Sequence, residues 1–400
     1  MSDTLTHLPP SDQDIWRKSE TYSILDDICR DLELSEAQYA SAKASYEAVG
    51  DWLSKSSHPI LQRIKVYAHG STALGTTVRP WAREDFDVDT ICHVPEYSSK
   101  ESPAALKAII GARLRENARY AQMLEEKKRC WRLNYAREFH LDISPTIPNA
   151  NCNNGGELVP DKKAKDWKPT NPVGYRILFE RRAALQPKMR LHKALATDSR
   201  ADISPFPARS DKKGILRRTV QLLKRHRDVT FHDIQADIAP ISIVITTLAA
   251  RAYEFCVNNF AFDTEFDVLV DTIRMMPHFI DRQLVGGKKL YVVANETTIG
   301  ENFAERWNTE PERAKAFYEW HAKAFQDFST LAKLQGIDLL SKSLASSLGE
   351  APVQRVMEAR TEQISSARSS GKLYVAPAVG LITTPSASAT PVRQNTFFGE

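Results

Sequence analysis

The chain is poor in the features that would commit it to a special environment. Its five cysteines (Cys29, Cys92, Cys130, Cys152 and Cys256) are odd in number, scattered and without a CxxC pair. That pattern points to free thiols in a reducing compartment and argues against a zinc ribbon. Long apolar runs are missing. The longest, around Ile241 to Ala250, is broken by Ser242, Thr246 and Thr247, too short and too polar to span a bilayer. Met1 to Trp16 is polar and carries Pro9-Pro10, so it lacks the basic-then-apolar order of a signal peptide. Internal repeats are absent. Charge of one sign is scarce too: a net +4 does not imply wholesale DNA binding, although local basic stretches can still steer phosphates. These absences leave a cytoplasmic protein. What is present fits one: 42% hydrophobic and 26% charged residues in a 400-residue chain, enough for two ordinary domains sharing a deep cleft.

Periodicity divides the chain. Ser35-Glu36-Ala37-Gln38 is a capping-box pattern and predicts a helix toward Lys55, with Tyr39, Ala42, Tyr46, Val49 and Trp52 on one face. Strands are expected at Ile64 to Ala68, at Asp85 to Val94 and from about Arg137 to Ile143. Ser102-Pro103 is expected to open a long helix to about Lys128, since proline fits the first helical turn. Asn149 to Pro172, rich in Asn, Gly, Lys and Pro, reads as a loop. From about Leu216 the pattern is helical: Leu216–Arg227, Ile241–Asn258, Asp263–Met276, Asn302–Trp307, Pro311–Gln335 and Pro352–Arg368. Thr383 to Val392 is rich in Thr, Pro, Ser and Ala and reads as disordered. The expected division is a catalytic core over 1–205, a helical lobe over 206–368 and a flexible tail over 369–400.

The chemistry concentrates in Asp85-Phe86-Asp87-Val88-Asp89. Strand residues two apart share a face, so three carboxylates point one way while Phe86, Val88, Thr90 and Cys92 point the other. Such like charges resist joint ionisation unless something positive joins them. A divalent cation would do so, and two such ions can clamp the attacking and leaving oxygens of a phosphoryl displacement. A solvated acidic strand edge is the bland alternative. Gly70-Ser71, extended by Gly75-Thr76, forms a turn just before this strand. Its backbone N–H groups and hydroxyl suit a phosphate. Asp142, in Phe139-His140-Leu141-Asp142-Ile143, is an acid inside an apolar strand. An unpaired charge there is costly, so it serves either a metal or a salt bridge to a nearby arginine.

Gly-Ser, then Asp-x-Asp, then a later single Asp resembles the nucleotidyltransferase superfamily related to DNA polymerase β. The fuller strings are more specific: His69 through Pro80, Asp85 through Asp89, Gln221 through Asp228, Pro240 through Ala249 and Glu301 through Trp307. They look like the bacterial cGAS/DncV-like nucleotidyltransferases (CD-NTases), which make cyclic oligonucleotide second messengers in anti-phage defence. The resemblance covers roughly residues 15 to 365. It implies an α/β (α+β) fold: a polymerase-β-like core with a mixed sheet, plus a C-terminal helical lobe that closes a two-lobed cleft. It implies that Asp87, Asp89 and Asp142 hold two Mg²⁺ ions (Mn²⁺ able to substitute), with Asp85 a possible further ligand. Asp142 would also help deprotonate the attacking ribose hydroxyl. Gly70, Ser71 and Lys224 would hold the triphosphate of a nucleoside triphosphate, ATP or GTP. The animal relative's zinc-binding insertion has no counterpart among the cysteines and histidines, so zinc-dependent DNA sensing is not expected. A monomer is expected. The Thr396-Phe397-Phe398-Gly399-Glu400 end could serve as an attachment point for a ubiquitin-ligase-like partner.

Other residues have weaker claims. Lys212 to Arg227 reads as an amphipathic helix with a solvated basic face, from which Lys224 alone is chosen to reach the cleft. Lys127-Lys128-Arg129 reads as a charged helix end. Tyr175 and Phe179 suit either base stacking or core packing. His69 and His140 are taken as structural, and Trp307 as a core anchor.

Overall fold

Capping chemistry opens the chain. In the computed structural model, which describes residues 10–79, 81, 85–135, 138–161, 165–190, 213–232, 236–376, 380–383 and 389–393, the Ser11 hydroxyl accepts from the Asp14 N–H and starts α1 (Asp12–Asp31). The capping box expected at Ser35 forms reciprocally with Gln38 and starts α2 (Glu36–Ser54). Then come β1 (Lys65–Ala68), the short α3 (Gly70–Leu74) and β2 (Phe86–His93). β2 alternates as its sequence demands: Phe86, Val88, Thr90 and Cys92 are buried, while Asp87 is exposed and Asp89 half-buried.

The helix expected to run from Pro103 to Lys128 is shorter. α4 (Pro103–Arg115) stops, and the Asn117 side chain caps a separate α5 (Ala118–Met123) by accepting from the Arg119 and Tyr120 N–H groups. β3 (Leu124–Glu126), β4 (Trp131–Tyr135) and β5 (Phe139–Pro148) follow. The stretch read as a loop over 149–172 contains two strands, β6 (Glu157–Pro160) and β7 (Trp167–Thr170). β6 pairs with β7 on one side and with the end of β5 on the other, a pairing that the local composition does not announce.

The sheet order is β1-β2-β5-β4-β3, with β6 and β7 appended to the end of β5. β2 and β5 run parallel and their other neighbours antiparallel, so the sheet is mixed. α2 and α4 cover the apolar face, where Val49, Leu53, Val88, Leu106, Ile110, Leu141 and Ile143 form one core. The opposite face carries the acids.

The rest is mostly helical: α6 (Pro172–Ala183), α7 (Ile215–Phe231), α8 (Ser242–Asn259), α9 (Glu265–Met275), α10 (Pro311–Leu331), α11 (Ile337–Leu348) and α12 (Glu350–Ser369). β8 (Lys188–Met189) and β9 (Ala261–Phe262) form a parallel pair, and β10 (Asp281–Val285) with β11 (Lys288–Val292) a hairpin. The helix expected at Asn302–Trp307 is only a 3₁₀ turn over Glu305–Asn308. A second core joins Leu25, Ile28, Phe179, Leu216, Leu223, Leu248, Phe317 and Trp320. α1 and α6 therefore pack with the helical lobe, and the packing does not divide at residue 205 as expected from sequence. Tyr175 and Phe179 are core residues of this lobe, and the Tyr175 hydroxyl is 2.8 Å from that of Thr247. Trp307 is a core residue as expected.

The segment expected to be a flexible tail over 369–400 carries three short strands: β12 (Tyr374–Ala376), β13 (Gly380–Ile382) and β14 (Thr390–Pro391), with β12 in the middle. Leu373 anchors them, buried and accepting from the Val392 N–H at 2.8 Å. Lys212 and the Thr396–Glu400 end lie outside the described residues. Among the described residues, no helix is long and apolar enough to cross a membrane.

Candidate active site

The register of three strands builds the acid face. Asp89 of β2 stands beside Asp142 of the parallel β5, and Asp142 stands beside Arg132 of the antiparallel β4. Asp87 lies one pleat along β2 on the same face, and Asp85 just precedes the strand. Four acids proposed from sequence, Asp85, Asp87, Asp89 and Asp142, are thus brought to one surface.

Gly70 and Ser71 are brought to it as well. The His69 N–H donates to the Asp89 carbonyl at 2.8 Å, tying the start of α3 to β2. Gly70 has φ +62°, and a Cβ there would stand 2.0 Å from Oδ2 of Asp89. Both the left-handed backbone and the close approach require glycine. No side chain caps α3, which leaves its first N–H groups without an intrahelical partner; the Ser71 hydroxyl accepts from the Thr77 hydroxyl at 3.5 Å. The chain then folds back: the Thr76 N–H donates to the Ser71 carbonyl at 3.0 Å.

Lys224 reaches this turn from the helical lobe. Its ammonium donates to the Thr76 carbonyl at 3.0 Å. Two further α7 side chains do the same, Arg217 to the Leu74 carbonyl at 2.9 Å and Gln221 to the Thr77 carbonyl at 3.0 Å. Residues 217, 221 and 224 share one helical stripe, so α7 holds the whole turn by its carbonyls. Sequence reasoning chose Lys224 alone. The spacing of the other two was visible, but a carbonyl partner leaves no trace in side-chain chemistry.

Electrostatics follow from the crowding. Burial first, then the charges of Asp87 and Asp142, push the Asp89 carboxyl up to about 6. Burial, with Arg227 nearby, brings the Lys224 ammonium down to about 8; the charges of Asp228 and Asp89 oppose that fall. Arg132 supplies the main positive charge on the face. Its Nε donates to Oδ1 of Asp142 at 2.6 Å, and its Nη2 to Oδ2 of Asp142 at 2.7 Å and to Oδ1 of Asp87 at 2.9 Å. His140, read as structural from sequence, belongs to the site: its ring nitrogens lie 3.4 Å from Asp85 and 3.3 Å from Asp87. Its place two residues before Asp142 on the same strand was the missed signal. Arg132 had none, because only the tertiary register brings it there. His69 keeps its structural reading: it is largely buried, and burial lowers its basicity.

Four carboxylates on one face offer the oxygen donors that a magnesium or manganese ion takes. Yet among the described residues no three His, Cys, Asp or Glu side chains converge as a metal-holding group. The guanidinium of Arg132 holds Asp142 and Asp87 instead. An open depression of about 580 Å³ on the helical lobe is a poorer candidate for a nucleotide site. Its guanidinium groups are spent on neighbours: Arg182 on Glu254 and Glu296, Arg251 on Glu296 and the Ala294 carbonyl.

A mixed sheet bearing three strand acids, with a Gly-Ser turn set against them, defines a polymerase-β-like nucleotidyltransferase. Residues 20–181 match the model of the Second Messenger Oligonucleotide or Dinucleotide Synthetase domain. A c-di-GMP synthase of Roseivirga ehrenbergii is 28% identical over 384 residues, covering 96% of this chain and 98% of the relative. The cyclic dinucleotide synthase CdnG of Bradyrhizobium diazoefficiens is 25% identical and matched over 94% of both chains. The solved structure of CdnG in complex with GTP superposes with a TM-score of 0.66 at 19% identity, over 86% of this chain and 99% of that one. An Escherichia coli CdnC–HORMA complex gives 0.60 at 12% identity, over 83% and 96%. Over nearly its whole length the chain is thus similar to cyclic dinucleotide synthases.

Proposed function

We propose that this nucleotidyltransferase joins nucleoside triphosphates into a cyclic dinucleotide, with GTP the first substrate to test. The adjacent acids Asp89 and Asp142, facing the Gly70–Gly75 turn and Lys224, carry the reading. The full-length likeness to a c-di-GMP synthase supports the choice of GTP.

Each residue then has a task. Gly70, Ser71 and Lys224 hold the donor triphosphate. Asp87, Asp89 and Asp142 hold the divalent cations, with Asp85 a further candidate ligand through its approach to His140. When bound, the cations neutralise charge building on the reacting phosphate and leaving pyrophosphate. Asp142 draws the proton from the ribose hydroxyl of the second nucleotide. That oxygen bonds to the donor α-phosphorus while the bond to pyrophosphate breaks. A second such displacement closes the ring. The acceleration comes from positioning and electrostatics, since the protein forms no covalent bond to substrate.

The test is incubation with each labelled nucleoside triphosphate, singly and together, plus Mg²⁺ or Mn²⁺, followed by phosphatase and chromatography. A phosphatase-resistant product is expected, reduced at least about a hundredfold in Asp87→Ala/Asp89→Ala. Product formation only when an RNA primer is present would replace this reading with terminal transfer to RNA.

A further inference from the structure

Arg132 stands where the reaction needs something else. Both Asp142 oxygens and one Asp87 oxygen accept hydrogen bonds from one guanidinium, whose Nη1 also lies 3.3 Å from Nδ1 of His140. The side chain is 19% exposed, and that of Asp142 is 16% exposed. This is the bidentate geometry that makes arginine–carboxylate pairs strong and directional. A divalent cation takes carboxylate oxygens at about 2.0–2.1 Å, and it would have to share Asp142 with a positive charge already held at hydrogen-bond distance. Two cations crowded on one carboxylate repel.

We propose that Arg132 is a positioning residue that takes the place of a divalent cation in the resting site and is displaced from Asp142 when the cation binds. The proposal rests on the reading of Asp87, Asp89 and Asp142 as metal ligands. Arg132 thereby keeps Asp87 and Asp142 compatible side by side, and it competes with the ion those acids serve.

Removing the competitor should tighten metal binding. The full-length protein without nucleotide is titrated with Mn²⁺, and free ion is read by electron paramagnetic resonance. Arg132→Gln is expected to bind Mn²⁺ roughly tenfold more tightly than wild type, within the usual range of coupling between two sites. Arg132→Lys keeps the charge but loses the fork, so it should gain only a few-fold; it also serves as the readout if the glutamine variant does not fold. Thermal melting without metal should show both variants less stable than wild type, with added Mn²⁺ restoring the loss. Unchanged or weaker Mn²⁺ binding in both variants, with binding still dependent on Asp87 and Asp89, overturns the role of Arg132 alone. Mn²⁺ binding by wild type that survives Asp87→Ala/Asp89→Ala overturns the metal-ligand reading and this inference with it.

Discussion

Lys224 shows what burial does to a single charge. In water a lysine ammonium persists to about pH 10.4, but here it titrates at about 8 because solvent is excluded around it. The sign of the consequence is fixed. The charged form is lost as pH rises through about 8, and an anion held by that charge is lost with it. Affinity for a non-reactive GTP analogue should therefore fall between about pH 7 and pH 9 by several-fold more in wild type than in Lys224→Met, as isothermal titration would show. Equal pH dependence in the two proteins would place the triphosphate away from Lys224. Asp89 is the complementary case, a carboxyl pushed up by burial and by two like charges. Its face was legible from the alternation of Asp85 to Asp89. Its environment was legible in part: the resemblance placed Asp142 and the Gly70 turn beside it, whereas Arg132 arrives only through pairing across strands.

At the scale of elements, α7 is the piece that joins the parts. One stripe grips the turn after α3 by the Leu74, Thr76 and Thr77 carbonyls. Another side chain, Arg218, is only 2% exposed and pairs with Asp26 and Glu33 at 2.5 Å each. Those acids lie on and just after α1, so the pair fastens the N-terminal helix to the centre of the helical lobe. Arg218→Met should cost about 2 kcal/mol in chemical denaturation, the loss of charge-assisted hydrogen bonds to two acids that keep Arg30 and Lys213 as partners. A cost under about 0.5 kcal/mol would mean that apolar packing of Ile24, Leu25 and Ile28 suffices to seat α1. The basic residues of α7 read as a solvated face in the sequence. Arg218, Lys224 and Arg225 are in fact buried, since a sequence cannot tell a charge facing water from one facing a carbonyl or a carboxylate on another element. Where signals were local, as at the Ser35 capping box and the Pro103 helix start, expectation and structure agree.

At the scale of the molecule, two cores frame the acids: the sheet supplies the carboxylates, and the helical lobe supplies Lys224. A ligand that touches both should stabilise both. At a hundredfold excess over its dissociation constant, a non-reactive GTP analogue with Mn²⁺ should add about 2.7 kcal/mol to stability, read as a rise in melting temperature. Asp87→Ala/Asp89→Ala should lose most of that rise. A full rise in the double variant would show a nucleotide bound elsewhere.

The sequence by itself determined the alternation of β2, the acid in the middle of β5, the Gly-Ser turn and the helical character of the back half. Each of these is a local pattern of side chains along one chain direction. The tertiary structure alone decided that α1 and α6 pack with the helical lobe, that 149–172 and the C-terminal segment form strands, and that Arg132 and His140 stand among the acids. Those outcomes depend on strand register and on the burial of distant faces against each other. Such energies belong to paired segments, whether neighbours in a hairpin or distant in the chain, and the composition of one stretch does not contain them.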